Sequence, residues 1–146
     1  MIIELKTLCV FGSRTLKGKK VEKIIDDFIK NSEYNCLITS LDTRGVCEVA
    51  RNYAKINKSG ICLLAIGLDA KRCAGMYEAR SIKALKMADH LLAIWDKKSK
   101  GTQNEIKLAE KLGIKTTIIE MDVDEYEFYF DEDPFTFVDC LVELKK

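Results

Sequence analysis

An open parallel α/β sheet of about five strands with helices on both faces, followed by a C-terminal strand and helix, is the fold class this sequence predicts. Two observations carry that expectation. Across residues 1–120, apolar runs of strand length alternate with amphipathic stretches through short polar connections. The runs are also apolar on both faces, as strands must be when helices cover each side.

The elements follow in order. LKTLCVF at 5–11 reads as a buried strand, with GSR after it. Val21, Ile24, Ile25, Phe28 and Ile29 fall at helical spacing, so 18–30 is a helix returning across the sheet. NCLITS at 35–40 is a second strand. Val46, Val49, Ala50, Tyr53 and Ala54 mark one face of a second helix over 45–57. ICLLAIGL at 61–68 gives the third strand, and a loop with Asp69, Lys71 and Arg72 leads to a helix over 75–87. DHLLAIWD forms the fourth strand. IKLAEKLGIK contains the fourth helix, ended by Gly113, and KTTIIEM at 115–121 makes the fifth strand. Right-handed crossovers then place helices on both faces, a Rossmann-like arrangement.

Residues 121–146 differ in kind. Tyr126, Phe128 and Phe130 alternate with Glu127, Tyr129 and Asp131, the pattern of a strand with one apolar face. Asp133 can cap a helix with Pro134 at its first position, and Phe137, Val138, Leu141 and Leu144 give it an apolar stripe. The chain therefore divides into a domain over 1–120 and an acidic, aromatic extension over 121–146, packed on that domain or at a dimer interface.

Composition narrows the function classes. The 146 residues are 47% hydrophobic and 32% charged, enough to bury one ordinary core. No apolar run approaches a membrane span, and no charged region precedes an apolar leader, so a cytoplasmic protein without membrane contact is expected. The six cysteines form no CxxC pair and sit mostly in apolar runs, which reads as buried thiols; one histidine, His90, cannot build a His-rich metal site. No metal and no cofactor are expected. Residues 121–146 hold nine Asp or Glu against two Lys, leaving 14 acidic and 22 basic residues in 1–120. A basic body suits a phosphorylated ligand or nucleic acid, but the acidic tail and the lack of an aromatic-basic stripe weigh against nucleic acid.

Neither GxGxxG nor GxxxxGK[ST] is present. Polar clusters stand instead at the expected strand ends, where open parallel sheets bind ligands. Gly12, Ser13 and Arg14 supply a flexible backbone, a hydroxyl and a guanidinium suited to phosphate. Ser40, Arg44 and Gly45 repeat that chemistry before the second helix, with Thr43 as a candidate N-cap. Ser99, Gly101 and Thr102 make an anion-sized loop, and Thr102 with Glu105 fits a capping box. Arg80 lies within MYEARSIKAL, where a solvated arginine is the default.

Taken together, CVFGSR, SLDTRGVCEVARNYA and AGMYEARSIKALKMADHLLAIWDKKSKGT resemble the SLOG superfamily, which includes the DprA and LOG proteins, and more closely its YspA-like branch. The YspA-like pattern reads GSR, SGGARGAD, AGxxRN, then AD, an aromatic strand and SxGT. Gly12, Ser13 and Arg14 match the first motif; Ser40, Arg44 and Gly45 match part of the second; Ala74, Gly75 and Arg80 the third; Ala88, Asp89, Trp95, Ser99, Gly101 and Thr102 the last. Leu41 and Asp42 replace the paired glycines of the second motif, Cys47 replaces an acidic residue, and Ser81 replaces Asn.

The resemblance implies a nucleotide or nucleotide-derived phosphorylated ligand, held by the clusters above, and commonly a homodimer. It also implies an alternative activity. LOG enzymes carry PGGxGTxxE and an arginine on the preceding helix, which Gly101, Thr102, Glu105 and Arg80 match in part, with Lys98 and Ser99 in place of two glycines. By that resemblance Arg80 and Glu105 would be catalytic residues of a nucleoside 5′-monophosphate phosphoribohydrolase. A nucleic-acid-handling module of the DprA kind is the third alternative.

Overall fold

The computed structural model describes residues 4–56, 62–66 and 76–123, with backbone alone for 62–66, 76 and 77. The expected strand at 126–131, the helix from Pro134, the loop with Asp69, Lys71 and Arg72, and Ala74 and Gly75 lie outside the described residues.

The class expected from the sequence, α/β around an open all-parallel sheet, is the class observed. The order along the chain is β1 (Thr7–Gly12), α1 (Lys19–Ser32), β2 (Cys36–Ser40), α2 (Val46–Ile56), β3 (Cys62–Ile66), α3 (Met76–Lys86), β4 (His90–Trp95), α4 (Lys100–Lys111) and β5 (Lys115–Glu120). In space the strands run β3-β2-β1-β4-β5, each pair parallel.

Period-two geometry divides the central strands between two apolar clusters. Leu8 and Val10 of β1, with Leu92 and Ile94 of β4, meet Val21, Ile25 and Ile29 of α1 and Val46, Ala50 and Tyr53 of α2. Cys9 and Phe11, with Leu91 and Ala93, meet Ala84 and Leu85 of α3 and Ile106 and Ala109 of α4. α1 works as a core helix because Val21, Ile25 and Ile29 recur every fourth residue and are all buried. It ends at Glu33, whose φ of 58° is left-handed. β5, at the edge of the sheet, mixes exposed and half-buried residues and has no fully buried one.

The chain leaves β1 toward β2 on one side and returns through β4 on the other, so the ends of β1 and β4 diverge at the topological switch point. Two glycines make the crowding there tolerable. A Cβ on Gly12 would sit 2.4 Å from the Ile94 carbonyl and 2.5 Å from Val46 Cγ2. Gly45 has φ +83°, and a Cβ on it would meet Arg14 Cα at 2.3 Å. Both glycines serve packing between β1, β4 and α2.

Two expectations about helix starts are corrected. α4 begins at Lys100 with Ser99 as N-cap, so Thr102 lies inside the first turn and the Thr102–Glu105 capping box does not form. α2 begins at Val46, whose N–H donates to the Ser13 carbonyl at 3.3 Å, so Thr43 lies too far upstream to cap it. At α2 a tertiary contact displaces the local signal, and at α4 a competing local turn from Asp96 to Ser99 does.

His90 sits at the opposite, N-terminal edge of the sheet. Tyr34 Oη lies 2.6 Å from its Nδ1 and Thr117 Oγ1 2.8 Å from its Nε2, with Phe28 packed edge-on at 5.1 Å. Burial, with Lys115 and Lys6 nearby, lowers its pKa and favours the neutral ring. Cys9, Cys36 and Cys47 are buried thiols outside any disulfide, and burial pushes the Cys9 and Cys47 thiols up, away from the reactive thiolate. No helix among the described residues is long and apolar enough to cross a membrane.

Candidate functional site

A cleft of about 880 Å³ opens beyond the carboxyl ends of β1 and β4, between the loops that leave them and the helices α3 and α4. Gly12, Arg14, Arg80, Ser99, Gly101, Thr102 and Glu105 of the candidate residues line it. Asp42, Ser81 and the lysines at 100, 107 and 111 join them.

The remaining candidates are placed otherwise. Ser13 is buried, and its hydroxyl accepts the Asp96 N–H at 3.0 Å while its own N–H donates to the Ile94 carbonyl at 3.0 Å. It ties the β1 loop to the β4 loop. Ser40 is fully buried, and its hydroxyl accepts the Asp42 N–H at 3.3 Å, so it shapes the β2 loop from beneath. Gly45 is wedged against Arg14, and exposed Arg44 lies outside the cleft wall. The second cluster thus supports the cleft through Ser40 and Gly45.

The loop after β4 is organised by Asp96, a residue the motif reasoning passed over. Its Oδ1 accepts the N–H groups of Lys98 and Ser99 at 2.9 and 2.7 Å, and its Oδ2 accepts the hydroxyls of Thr15 and Ser99 at 2.7 and 2.9 Å. Burial alone would raise this carboxyl, but the hydrogen bonds from Thr15, Ser99 and Lys98 outweigh it and hold Asp96 well below the usual carboxylate range. The available signal was local: an aspartate at a strand end, three residues before a helix N-cap, is placed to form a side-chain turn.

Because Ser99 gives its hydroxyl to Asp96, no side chain caps α4. The first turn of this helix, with Lys100, Gly101 and Thr102, therefore faces the cleft with its positive end. A Cβ on Gly101 would meet nothing within 4 Å, which leaves the backbone there open to approach.

One turn further along α4, Glu105 is buried. Its Oε2 accepts the Ser81 hydroxyl at 3.2 Å and lies 3.6 Å from Arg80 Nη2. Burial raises its pKa most, opposed by Arg80 and Ser81, and the carboxyl moves from an ordinary 4.5 to about 7. Arg80, itself buried in side chain, rests its guanidinium 5.9 Å from the centre of the Phe11 ring. Its Nη1 lies 3.3 Å from Asp42 Oδ1, and Arg14 Nη2 lies 3.5 Å from the same oxygen. Asp42, seen in the sequence only as a missing glycine, becomes the link between two arginines from separate elements.

This arrangement can bind an anion and can hold a proton near neutrality on one carboxyl. Among the described residues, no group of three His, Cys, Asp or Glu side chains is placed to hold a metal ion. Compared with known proteins, the chain matches no family model and no curated protein.

Proposed function

We propose that this cleft binds a nucleotide or a nucleotide-derived phosphorylated small molecule, in the manner of the SLOG-type domains that the chain resembles. The observation that supports it best is convergence. Arg14 and Arg80 on one side, and the uncapped first turn of α4 at Gly101 on the other, face one cleft at the switch point. The helix end and the guanidiniums both favour negative charge, and the open backbone at Gly101 lets a phosphate come close.

A thermal-shift panel of nucleoside monophosphates and diphosphates, ADP-ribose and cyclic nucleotides tests the proposal. A true ligand at a hundred times its dissociation constant adds about 2.7 kcal/mol to the folded state. A panel in which no member raises the melting temperature overturns it.

Glu105 favours a second reading, hydrolysis of the N-glycosidic bond of a nucleoside 5′-monophosphate. A buried carboxyl at about 7 beside an arginine can hold or release a proton at neutral pH, while Arg80 holds the phosphate. Water attacks the anomeric carbon, the bond to the base breaks, and the base leaves with a proton. Incubating the protein with AMP, GMP, CMP and UMP should release free base, and Glu105→Gln should abolish the release. No base above blank, or an unchanged rate in the variant, removes the enzymatic reading and leaves the binding one.

A further inference from the structure

Asp42 stands on the loop between β2 and α2, and a single oxygen of its carboxylate holds both cleft arginines. Oδ1 lies 3.3 Å from Arg80 Nη1 and 3.5 Å from Arg14 Nη2. Both contacts are long and one-pronged, unlike the short paired bonds of an arginine fork on a carboxylate. Asp42 and Arg80 are largely withdrawn from solvent, with side chains 16% and 8% exposed, whereas Arg14 is 51% exposed. On the far side of Arg80, Glu105 Oε2 lies 3.6 Å from Nη2. The four side chains run Arg14, Asp42, Arg80, Glu105, with alternating sign.

We propose that Asp42 is an internal competitor for the anion seat and thereby a specificity-determining residue: it selects ligands that end in a dianionic phosphate over singly charged diesters. This rests on the phosphate-binding reading above. A phosphodiester brings one charge, no more than the carboxylate it must displace. A terminal phosphomonoester brings nearly two charges and three oxygens, so it can engage both guanidiniums where Asp42 Oδ1 engages each weakly. The loop favours this arrangement, because the Asp42 N–H is anchored on Ser40 Oγ and the carboxylate is held over the strand ends. Glycine at this position would leave the seat empty and accept either anion.

Titration calorimetry at about pH 8, where a monoester is doubly charged, tests this with AMP, cyclic 3′,5′-AMP and inorganic pyrophosphate. Wild-type protein should prefer AMP over the cyclic nucleotide by about tenfold or more, equal to 1.4 kcal/mol. Asp42→Asn should tighten the cyclic nucleotide more than AMP and collapse that preference, and Asp42→Ser should do the same. The gain should shrink when Arg14→Gln is added, an outcome that a merely structural role for Asp42 does not produce. Circular dichroism confirms that each variant is folded; if Asp42→Asn is not, the serine variant decides.

If wild type binds AMP and both Asp42 variants bind the two nucleotides as wild type does, this inference fails and the phosphate reading stands. If no nucleotide binds wild type but pyrophosphate binds the Asp42 variants more tightly than wild type, the competitor role stands and the nucleotide reading fails. Absence of binding by every protein overturns both.

Discussion

Asp96 and Glu105 are both acids with little solvent exposure, one beneath the loop after β4 and one in the cleft wall at the second turn of α4, and their surroundings drive them in opposite directions. Four hydrogen bonds converge on Asp96 and keep it ionised. Glu105 receives one serine hydroxyl and a long contact to an arginine, too little to offset burial. The difference teaches that donor supply and depth of burial act together: Asp96 is shallow and rich in donors and builds a loop, whereas Glu105 is deep and poor in donors and is free to exchange a proton.

The sharpest way to break that comparison is to remove the satisfied carboxylate. Asp96→Ala strands the donors of Thr15, Lys98 and Ser99, and should cost about 3 kcal/mol or more, read as a lower denaturant midpoint. Its pKa is lower in the folded chain than in the unfolded one, so Asp96 contributes stability above the ordinary aspartate value that is lost as the pH falls below it. Wild type should therefore lose stability steeply in acid and the alanine variant much less.

Glu105→Gln should act with the other sign. The folded chain binds the Glu105 proton more tightly than the unfolded chain, so this group's contribution is full below 4.5, falls as the pH rises to about 7, and is flat above. The shift corresponds to roughly 3 kcal/mol. The glutamine variant should thus gain on wild type between pH 5 and pH 8, on that order, in paired unfolding curves. A variant that loses equally at both values would mean that Glu105 is held ionised.

A smaller effect separates the two sides of the Glu105 environment. Ser81 donates to the carboxylate and favours its charged form, so Ser81→Ala should move the Glu105 titration to higher pH by about one unit, as read by carbon NMR of the carboxyl. The smallest change expected is Thr15→Ala, which removes one of four bonds to Asp96 and should cost about 1 kcal/mol in the same denaturant assay.

Much of the fold was legible because it rests on period. Val21, Ile25 and Ile29, or the unbroken apolar run of β4, announce buried elements without outside help. The helix starts were less legible: Thr102 has the right chemistry for a cap, but Asp96 recruits Ser99 and starts α4 earlier. The site was legible where a side chain or backbone faces the cleft directly, as with Arg14, Gly101 and Glu105. It was illegible where a residue acts through distant partners. Nothing in SLDTRG says that Asp42 will meet Arg80 from α3, and nothing in GSR says that Ser13 will turn inward to accept the Asp96 N–H.

The central claim is that the switch-point cleft is where a nucleotide sits, and nitrogen–proton NMR during an AMP titration tests it most directly. The amides of Gly12, Arg14, Gly101 and Thr102 should shift in a saturable, concentration-dependent way, while those of His90 and Thr117 at the opposite edge stay in place. Shifts confined to the His90 edge, or none at saturating AMP and ADP-ribose, would contradict the account.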